Sequence, residues 1–169
     1  MAIIKTVRGF TPQFGANYFL ADNAVVVGEV TMGNNCTVWF NAVVRGDVNS
    51  ITIGDNTNIQ DGAIIHCTYQ LAKTVIGSNV SIAHNAIVHG CTVEDNVLIG
   101  MSAVIMDHAV IGAGSVIAAG AIVLPKTIVE AGSVYAGIPA KKVKNVGEEM
   151  RAVIVRTAKN YPMYAEWFR

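Results

Sequence analysis

A hydrophobic side chain recurs at every sixth position over most of this chain. We call this residue position one of a six-residue rung, and a mostly small or β-branched residue stands four positions after it. The series breaks only at a three-residue insertion, a five-residue insertion within about residues 68–74, and one rung that is short by a residue. Its members are Phe14, Leu20, Val26, Met32, Val38, Val44, Ile53, Ile59, Ile65, Ile76, Ile82, Val88, Val93, Ile99, Ile105, Ile111, Ile117, Val123, Val129 and Tyr135.

A period of six predicts an all-β fold, a parallel β-helix. Six residues of an α-helix rotate by about 600°, so a helix cannot keep such a repeat on one face. A prism with three flat sides and six residues per side keeps it naturally, with position one pointing inward. An ordinary antiparallel β domain would instead show alternation at period two and hairpin turns. Counting every third rung from Phe14 predicts about seven coils, each being one turn of the prism.

The pattern changes at Lys141, which divides the chain into a β-helix domain over 1–140 and a C-terminal segment over 141–169. Residues 141–144 (Lys-Lys-Val-Lys) are expected to form a basic linker. Residues 148–160 predict an amphipathic helix that packs on the prism through Met150, Val153, Ile154 and Thr157. Pro162 is expected to end or kink this helix.

Composition limits the binding partners and the cellular compartment expected for this protein. Twelve basic and twelve acidic side chains cancel, so no electrostatic footprint for nucleic acid or membrane is expected. Charged residues make up only 14% of the chain, which favours an oligomer that hides more surface. The uncharged stretch 109–125 follows the six-residue period and is not a membrane span. An N-terminus without a signal peptide and three cysteines without framework spacing predict a cytoplasmic protein.

The rung count assigns residues to sides of the prism, which we label a, b and c from Phe14 onward. Arg45, His66 and His89 are each the second residue of a side-c rung in successive coils. Position two points outward because neighbours alternate along a strand. These three residues should therefore form a vertical outward ladder, in which two adjacent imidazoles can share a metal ion.

A third histidine, His84, falls on side b near a corner, together with Gln60 and Asp61. One subunit cannot bring His84 to the side-c pair, but three-fold packing of side c against side b of the next chain would. A three-histidine site with an open position is catalytic in type, whereas a structural zinc has four protein ligands. His108 is interpreted as a surface residue, and Cys67 and Cys91 as packing residues, with softer metal ligation as the alternative.

The motifs Arg45-Gly46-Asp47 and Gln60-Asp61-Gly62, together with His66, His84 and His89, resemble the gamma-class carbonic anhydrase family. The resemblance extends to Tyr135-Ala136-Gly137-Ile138-Pro139 and the C-terminal helix. It implies a left-handed parallel β-helix, a homotrimer, and zinc (or iron or cobalt) between subunits. The ligands would be His66 and His89 of one chain and His84 of its neighbour.

The same resemblance implies a lyase that converts carbon dioxide to bicarbonate reversibly, by a metal-bound hydroxide at the trimer interface. Gln60 would orient the bound water or hydroxide, with Asp61 supporting this network. Tyr135 would line the pocket. Arg45 and Asp47 would pair across the subunit interface.

The chain departs from the best-known members at their proton shuttle. Those members carry a glutamate directly after the aspartate of the Arg-Gly-Asp-like motif, where this chain has Val48. They carry another in an acidic loop near the first histidine, where residues 69–73 (Tyr-Gln-Leu-Ala-Lys) contain no carboxylate. Slow hydration is therefore expected.

Two other functions compete with hydration. Hexapeptide-class acyltransferases share the repeat and use acetyl-coenzyme A, but they use a single histidine as the base and no metal. A non-catalytic trimeric module stabilised by metal would explain the missing shuttle. Metal dependence of activity separates these readings.

Overall fold

The computed structural model describes residues 1–168, and it forms a parallel β-helix followed by one long α-helix. Arg169, the last residue of the expected C-terminal segment, lies outside the described residues. The strands are β1 (Ile3–Lys5), β2 (Gln13–Phe14), β3 (Phe19–Leu20), β4 (Val25–Met32), β5 (Thr37–Val38), β6 (Val43–Ile53), β7 (Asn58–Ile59), β8 (Ile64–His66), β9 (Thr74–Ile76), β10 (Ser81–Ile82), β11 (Ile87–His89), β12 (Thr92–Val93), β13 (Leu98–Ile99), β14 (Val104–Ile105), β15 (Val110–Ile111), β16 (Val116–Ile117), β17 (Ile122–Val123), β18 (Ile128–Val129), β19 (Ser133–Ala136) and β20 (Lys141–Asn145). They are followed by α1 (Glu148–Ala165) and a short 3-10 helix (Glu166–Phe168).

Each strand from β1 to β19 pairs in parallel with a strand one coil away, which confirms the predicted β-helix. Side b is the stack β3-β5-β7-β10-β13-β16-β19. Side c contains β6, β8, β11, β14 and β17, and side a contains β6, β9, β12, β15 and β18. The long strands β4 and β6 run around the corner between sides c and a, so these two sides form one hydrogen-bonded sheet.

The interior confirms the six-residue period. From the second coil onward, every position-one residue is buried, and most of them have no exposed surface at all. Phe14 and Leu20, in the first coil, are only half-buried because no earlier full coil covers them. Stacking the coils therefore builds one continuous column of Ile and Val, which provides most of the hydrophobic stabilisation.

One corner of the prism carries a column of asparagines that includes Asn35, Asn56 and Asn79. Their φ angles are 56°, 55° and 56°, a left-handed conformation that asparagine tolerates better than most residues. Asn35 Nδ2 donates to Asn56 Oδ1 at 3.0 Å, and Asn56 Nδ2 donates to Asn79 Oδ1 at 3.2 Å. The same side chain therefore both turns the chain and links neighbouring coils.

The basic segment after the repeats differs from the expected linker. Residues Lys141–Asn145 form β20, which pairs antiparallel with β19 at the end of side b. The last coil would otherwise leave a row of unpaired backbone groups, and the returning chain satisfies them. Every residue of β20 is exposed, and its three lysines suit a strand at the edge of a sheet.

The C-terminal helix is confirmed, but it continues past Pro162 to Ala165. Ile154 is buried and packs with Val116 and Val134 of side b. Beyond it, the ring of Tyr161 packs edge-on against Trp39 at 5.4 Å between centroids. Packing along side b holds the helix through the proline, so tertiary contacts outweigh the missing backbone donor. No helix within residues 1–168 has the length and apolar character needed to span a membrane.

Replacing a position-one residue should cost far more stability than replacing an outward one. Ile99 is 0% exposed and Ile128 is 63% exposed, and both lie in two-residue strands. Ile99→Ala should lower the free energy of unfolding by about 2–5 kcal/mol, because it leaves a cavity in the column. Ile128→Ala, the matched control, should change it by about 0.5 kcal/mol or less. Urea unfolding followed by circular dichroism measures both, and equal losses would contradict the assigned interior.

A candidate metal centre on side c

His66 and His89 lie directly above one another on side c. They are register partners in the parallel pair β8–β11. His66 Nδ1 and His89 Nε2 are 3.1 Å apart, and the ring planes are inclined at 62°. The His66 and His89 side chains are 15% and 33% exposed, so the pair lies at the protein surface and is partly covered by its surroundings. The register of two strands thus brings two imidazole nitrogens within reach of one metal ion.

The other nitrogen of each ring faces a carboxylate. His66 Nε2 lies 3.0 Å from Asp47 Oδ1, and His89 Nδ1 lies 2.6 Å from Asp107 Oδ1. Arg45 NH1 donates to Asp47 Oδ2 at 2.6 Å within the same chain. Asp47, His66, His89 and Asp107 come from four successive coils, so one line of polar contacts runs along the outside of side c.

The ionisation of the two carboxylates decides where the imidazole protons lie. Burial alone would raise the pKa of Asp47, but hydrogen bonds from His66 and Arg45 outweigh it and lower that pKa below its usual value. Burial likewise opposes ionisation of Asp107, and hydrogen bonds from Thr68 and His89 lower its pKa in the same way. An ionised carboxylate only accepts hydrogen bonds. Facing ionised carboxylates, His66 Nε2 and His89 Nδ1 are the donors in these two hydrogen bonds.

With their outer nitrogens protonated, both neutral rings direct a lone pair at the other. Such an arrangement calls for a proton or a cation between His66 Nδ1 and His89 Nε2. Burial lowers the pKa of His66; the hydrogen bond to Asp47 opposes this effect, and the charge of Arg45 adds to it. Two nitrogens at about 2.0–2.1 Å from a tetrahedral zinc would be about 3.3 Å apart, close to the distance found. The donor set fits a metal ion.

His84 lies on side b, at the corner that leads to side c. Its Nδ1 is 2.9 Å from Asp61 Oδ2, and both side chains are 42% exposed. The structure of one chain brings His66 and His89 together and leaves His84 apart. Within residues 1–168, no three His, Cys, Asp or Glu side chains are grouped so that they could hold a metal ion.

Two residues expected at the site are buried on side b. Gln60 is 4% exposed, and its Nε2 donates to Asn58 Oδ1 at 3.0 Å. Tyr135 occupies position one of the seventh coil, pairs with Ile117 and belongs to the hydrophobic core. His89 belongs to side c of the fourth coil, so a single chain does not bring Tyr135 to the histidines.

The structure adds three residues that sequence reasoning missed. Asp107 contacts the outer nitrogen of His89, Nδ1, and Thr68 Oγ1 donates to Asp107 Oδ2 at 2.5 Å. Tyr161 of α1 lies near Asp61; burial, and then the charge of Asp61, raise the pKa of Tyr161 to about 12. Asp107 could have been found by extending side c one coil beyond His89, where it is the third residue of the Ile105 rung.

The cysteines beside the histidines are buried thiols. Burial raises the pKa of Cys91 to about 12 and raises the pKa of Cys67 as well. Metal ligation by cysteine requires the thiolate, so both residues are better explained by packing. His108 sits at the corner after Asp107 with a φ of 61°.

Comparison with known proteins places this chain in a family. A model of bacterial transferase hexapeptide repeats (six repeats) matches residues 90–125. The chain is 38% identical over 167 residues to a protein named carbonic anhydrase from Geobacillus kaustophilus, covering 99% of this chain and 91% of that one. A crystal structure of a hexapeptide transferase family protein from Anaplasma phagocytophilum matches with a TM-score of 0.94 and 36% identity, covering 99% of this chain and 98% of that one.

A plant relative carries the name of the gamma class. The chain is 38% identical over 156 residues to gamma carbonic anhydrase 2, mitochondrial, of Arabidopsis thaliana. That match covers 89% of this chain, which spans 56% of the plant protein's length. With its seven-coil β-helix and its near full-length match to the Geobacillus protein, the chain belongs to the gamma-class carbonic anhydrase family of hexapeptide-repeat proteins.

Proposed function

We propose that this protein catalyses the reversible hydration of carbon dioxide to bicarbonate at a metal site shared between two chains of a homotrimer. The observation that carries the proposal is the convergence of His66 Nδ1 and His89 Nε2 at 3.1 Å, with each outer nitrogen on a carboxylate. Names of relatives support the reaction. Buried thiols suit a reducing compartment, and we propose the cytoplasm.

His66 and His89 of one chain and His84 of its neighbour would hold the metal. Three neutral imidazoles suit zinc, which we propose, and suit iron(II) and cobalt as well. When bound in this way, zinc lowers the pKa of a coordinated water to about 7 and so supplies hydroxide at neutral pH. Asp47, Asp107 and Asp61 would each orient one ligand imidazole.

The chemistry of side c supports a second copy of the chain as the partner that supplies His84. Beside the line of polar side chains formed by Arg45, Asp47, the two histidines and Asp107, other outward residues of this side are apolar. Ile64, Met106 and Leu124 are 40%, 37% and 46% exposed, and Ile87 and Val104 are half-buried. An apolar face of this kind marks an interface more often than free surface. Helix α1 already packs on side b, and His84 lies at the corner between sides b and c.

The remaining residues would serve binding and orientation. Gln60, whose amide is fixed by its bond to Asn58, would orient water beside the metal. Arg45 holds Asp47 within the chain, and contact with a neighbouring chain remains our proposal for this pair. The role carried over to Tyr135, lining the pocket, is likewise a proposal.

Hydration produces a proton that must leave the site. This chain lacks the glutamates that carry the proton away in the best-known members. Val48 is half-buried, and the loop after His66 exposes Tyr69 and Leu71 at 54% and 74%. Asp47 and Asp107 are engaged with the histidines and with Arg45 and Thr68. We therefore propose slow turnover limited by proton release.

Metal binding should depend on His89 and not on His108. Protein purified without chelator should hold about one metal ion per chain, and His89→Asn should hold almost none because half of the paired donor set is lost. His108→Asn is the matched control, since asparagine tolerates the left-handed backbone at that corner. Elemental analysis with solution mass measures both. Equal metal content in the two variants would contradict the site.

Carbon dioxide hydration should require the metal and should accelerate with external buffer. Stopped-flow rates of zinc-loaded protein should rise with imidazole concentration, because a small base replaces the missing shuttle. Chelator-treated protein is the control. Metal-loaded trimers without turnover, which dissociate when metal is removed, would favour a non-catalytic module. Coenzyme A binding by metal-free protein would favour acyl transfer; the Anaplasma neighbour is named as a hexapeptide transferase family protein.

Mixing two inactive variants should restore metal sites. His66→Ala and His84→Ala should each lose metal alone. In a mixed trimer, side c of a His84→Ala chain still supplies His66 and His89, and an adjacent His66→Ala chain supplies His84 from side b, so this interface has all three ligands. Random exchange of subunits should restore about one site in four. Mixed trimers are verified by native mass spectrometry and their metal is counted in the same spectra. Verified mixed trimers without metal would refute ligand sharing between chains.

A further inference from the structure

We propose that Asp107 is a positioning residue that places the proton of His89 on Nδ1 and thereby reserves Nε2 for the metal. The inference deepens the proposed function, since it rests on the metal site of that proposal. Asp107 lies on side c one coil beyond His89, and its Oδ1 is 2.6 Å from His89 Nδ1. This is the shortest of the three His–Asp contacts in residues 1–168.

Both carboxylate oxygens of Asp107 are used, and the second one is held by the loop that follows His66. Thr68 Oγ1 donates to Asp107 Oδ2 at 2.5 Å. Thr68 begins the insertion after His66; its backbone N–H donates to the Ala72 carbonyl, and its carbonyl accepts from the Ala72 N–H. The loop therefore supplies a hydroxyl that keeps the carboxylate pointed at His89.

Gly90 keeps open the space that Asp107 occupies. A Cβ on Gly90 would lie 2.5 Å from Asp107 Oδ1 and 2.8 Å from Asp107 Cγ, too close for any side chain. Gly90 also has a φ of +56°, and its N–H donates to Thr74 Oγ1 at 2.9 Å. The backbone directly after His89 is thus shaped to admit this carboxylate, independently of the hydrogen bonds that the carboxylate makes.

The two carboxylates on the ligand histidines differ in what else they bind. Asp47 divides its charge between His66 and the guanidinium of Arg45. Within the described chain, the ion-pair partner of Asp107 is His89 alone, with Thr68 as a neutral donor. A neutral imidazole in water populates both tautomers, and one of them blocks Nε2 with a proton. Asp107 removes that tautomer, because its ionised oxygen can only accept.

The test compares Asp107→Asn with wild type in two measurements that need no turnover. In metal-free protein, the imidazole ¹⁵N shifts of His89 report its tautomer, and Asp107→Asn should move the proton toward Nε2. Zinc affinity, measured by competition with a chromophoric chelator, should fall about 10- to 100-fold. Asp95→Asn is the matched control: Asp95 Oδ1 caps the N–H of Ser78 at 2.8 Å, a structural contact of the same type. This control should alter neither measurement.

Thr68→Val keeps Asp107 in place but removes its second hydrogen bond, so it should shift both measurements in the same direction by a smaller amount. It also decides the matter if Asp107→Asn fails to fold. A wild-type His89 protonated on Nε2, or unchanged zinc affinity in a folded Asp107→Asn variant, would overturn the inference. Zinc binding and tautomer changes as expected, in a protein without hydration activity, would support the inference while refuting the proposed reaction.

Discussion

The parallel register between successive coils is the constraint on which the rest of this structure depends. Backbone hydrogen bonds hold neighbouring coils about 4.8 Å apart, and each coil repeats the same inward positions. The register that stacks Ile65 on Val88 inside the prism necessarily stacks His66 on His89 outside it. A shift of one residue would turn both histidines inward and the core residues outward. Packing of the column therefore fixes the spacing of the two histidines that we propose as metal ligands.

That coupling explains how a surface site can be well ordered without a deep pocket. The imidazoles are partly exposed, yet a hydrogen bond to a carboxylate restrains the orientation of each ring. Asp47 and Asp107 approach from the coils on either side, and Arg45 and Thr68 hold these carboxylates in turn. Each of these side chains is attached to a strand or corner whose position is set by the core. The chain thus supports the ligands from a second layer of contacts, as metal centres generally require.

The side of every rung could be predicted from the sequence, because a strict period leaves no freedom in the assignment. Burial and register confirm it from Val26 to Tyr135. Asp107 was not predicted because it is the third residue of its rung, just after strand β14, where the chain turns and the simple inward–outward alternation no longer applies. The strand at Lys141–Asn145 was not predicted because its own lysine-rich sequence contains no strand pattern. Its partner is an edge that exists only once the last coil has formed. The helix end at Ala165 likewise depends on Trp39, which is remote in sequence.

If the three histidines hold one metal ion as we propose, their division between two sides of the prism makes assembly a condition of the chemistry. A single chain presents two converging imidazole nitrogens on side c, and its third histidine lies on side b. Ile64, Met106 and Leu124 expose apolar surface on the same side as the pair, so the association that we propose would be driven by the hydrophobic effect and would not need the metal. Metal would then bind after the subunits meet and would stabilise the assembled form by mass action, since separated chains offer it only two of the three ligands. In the proposed trimer, the same face therefore provides both the association energy and the dry surroundings in which a bound metal acts most strongly on water.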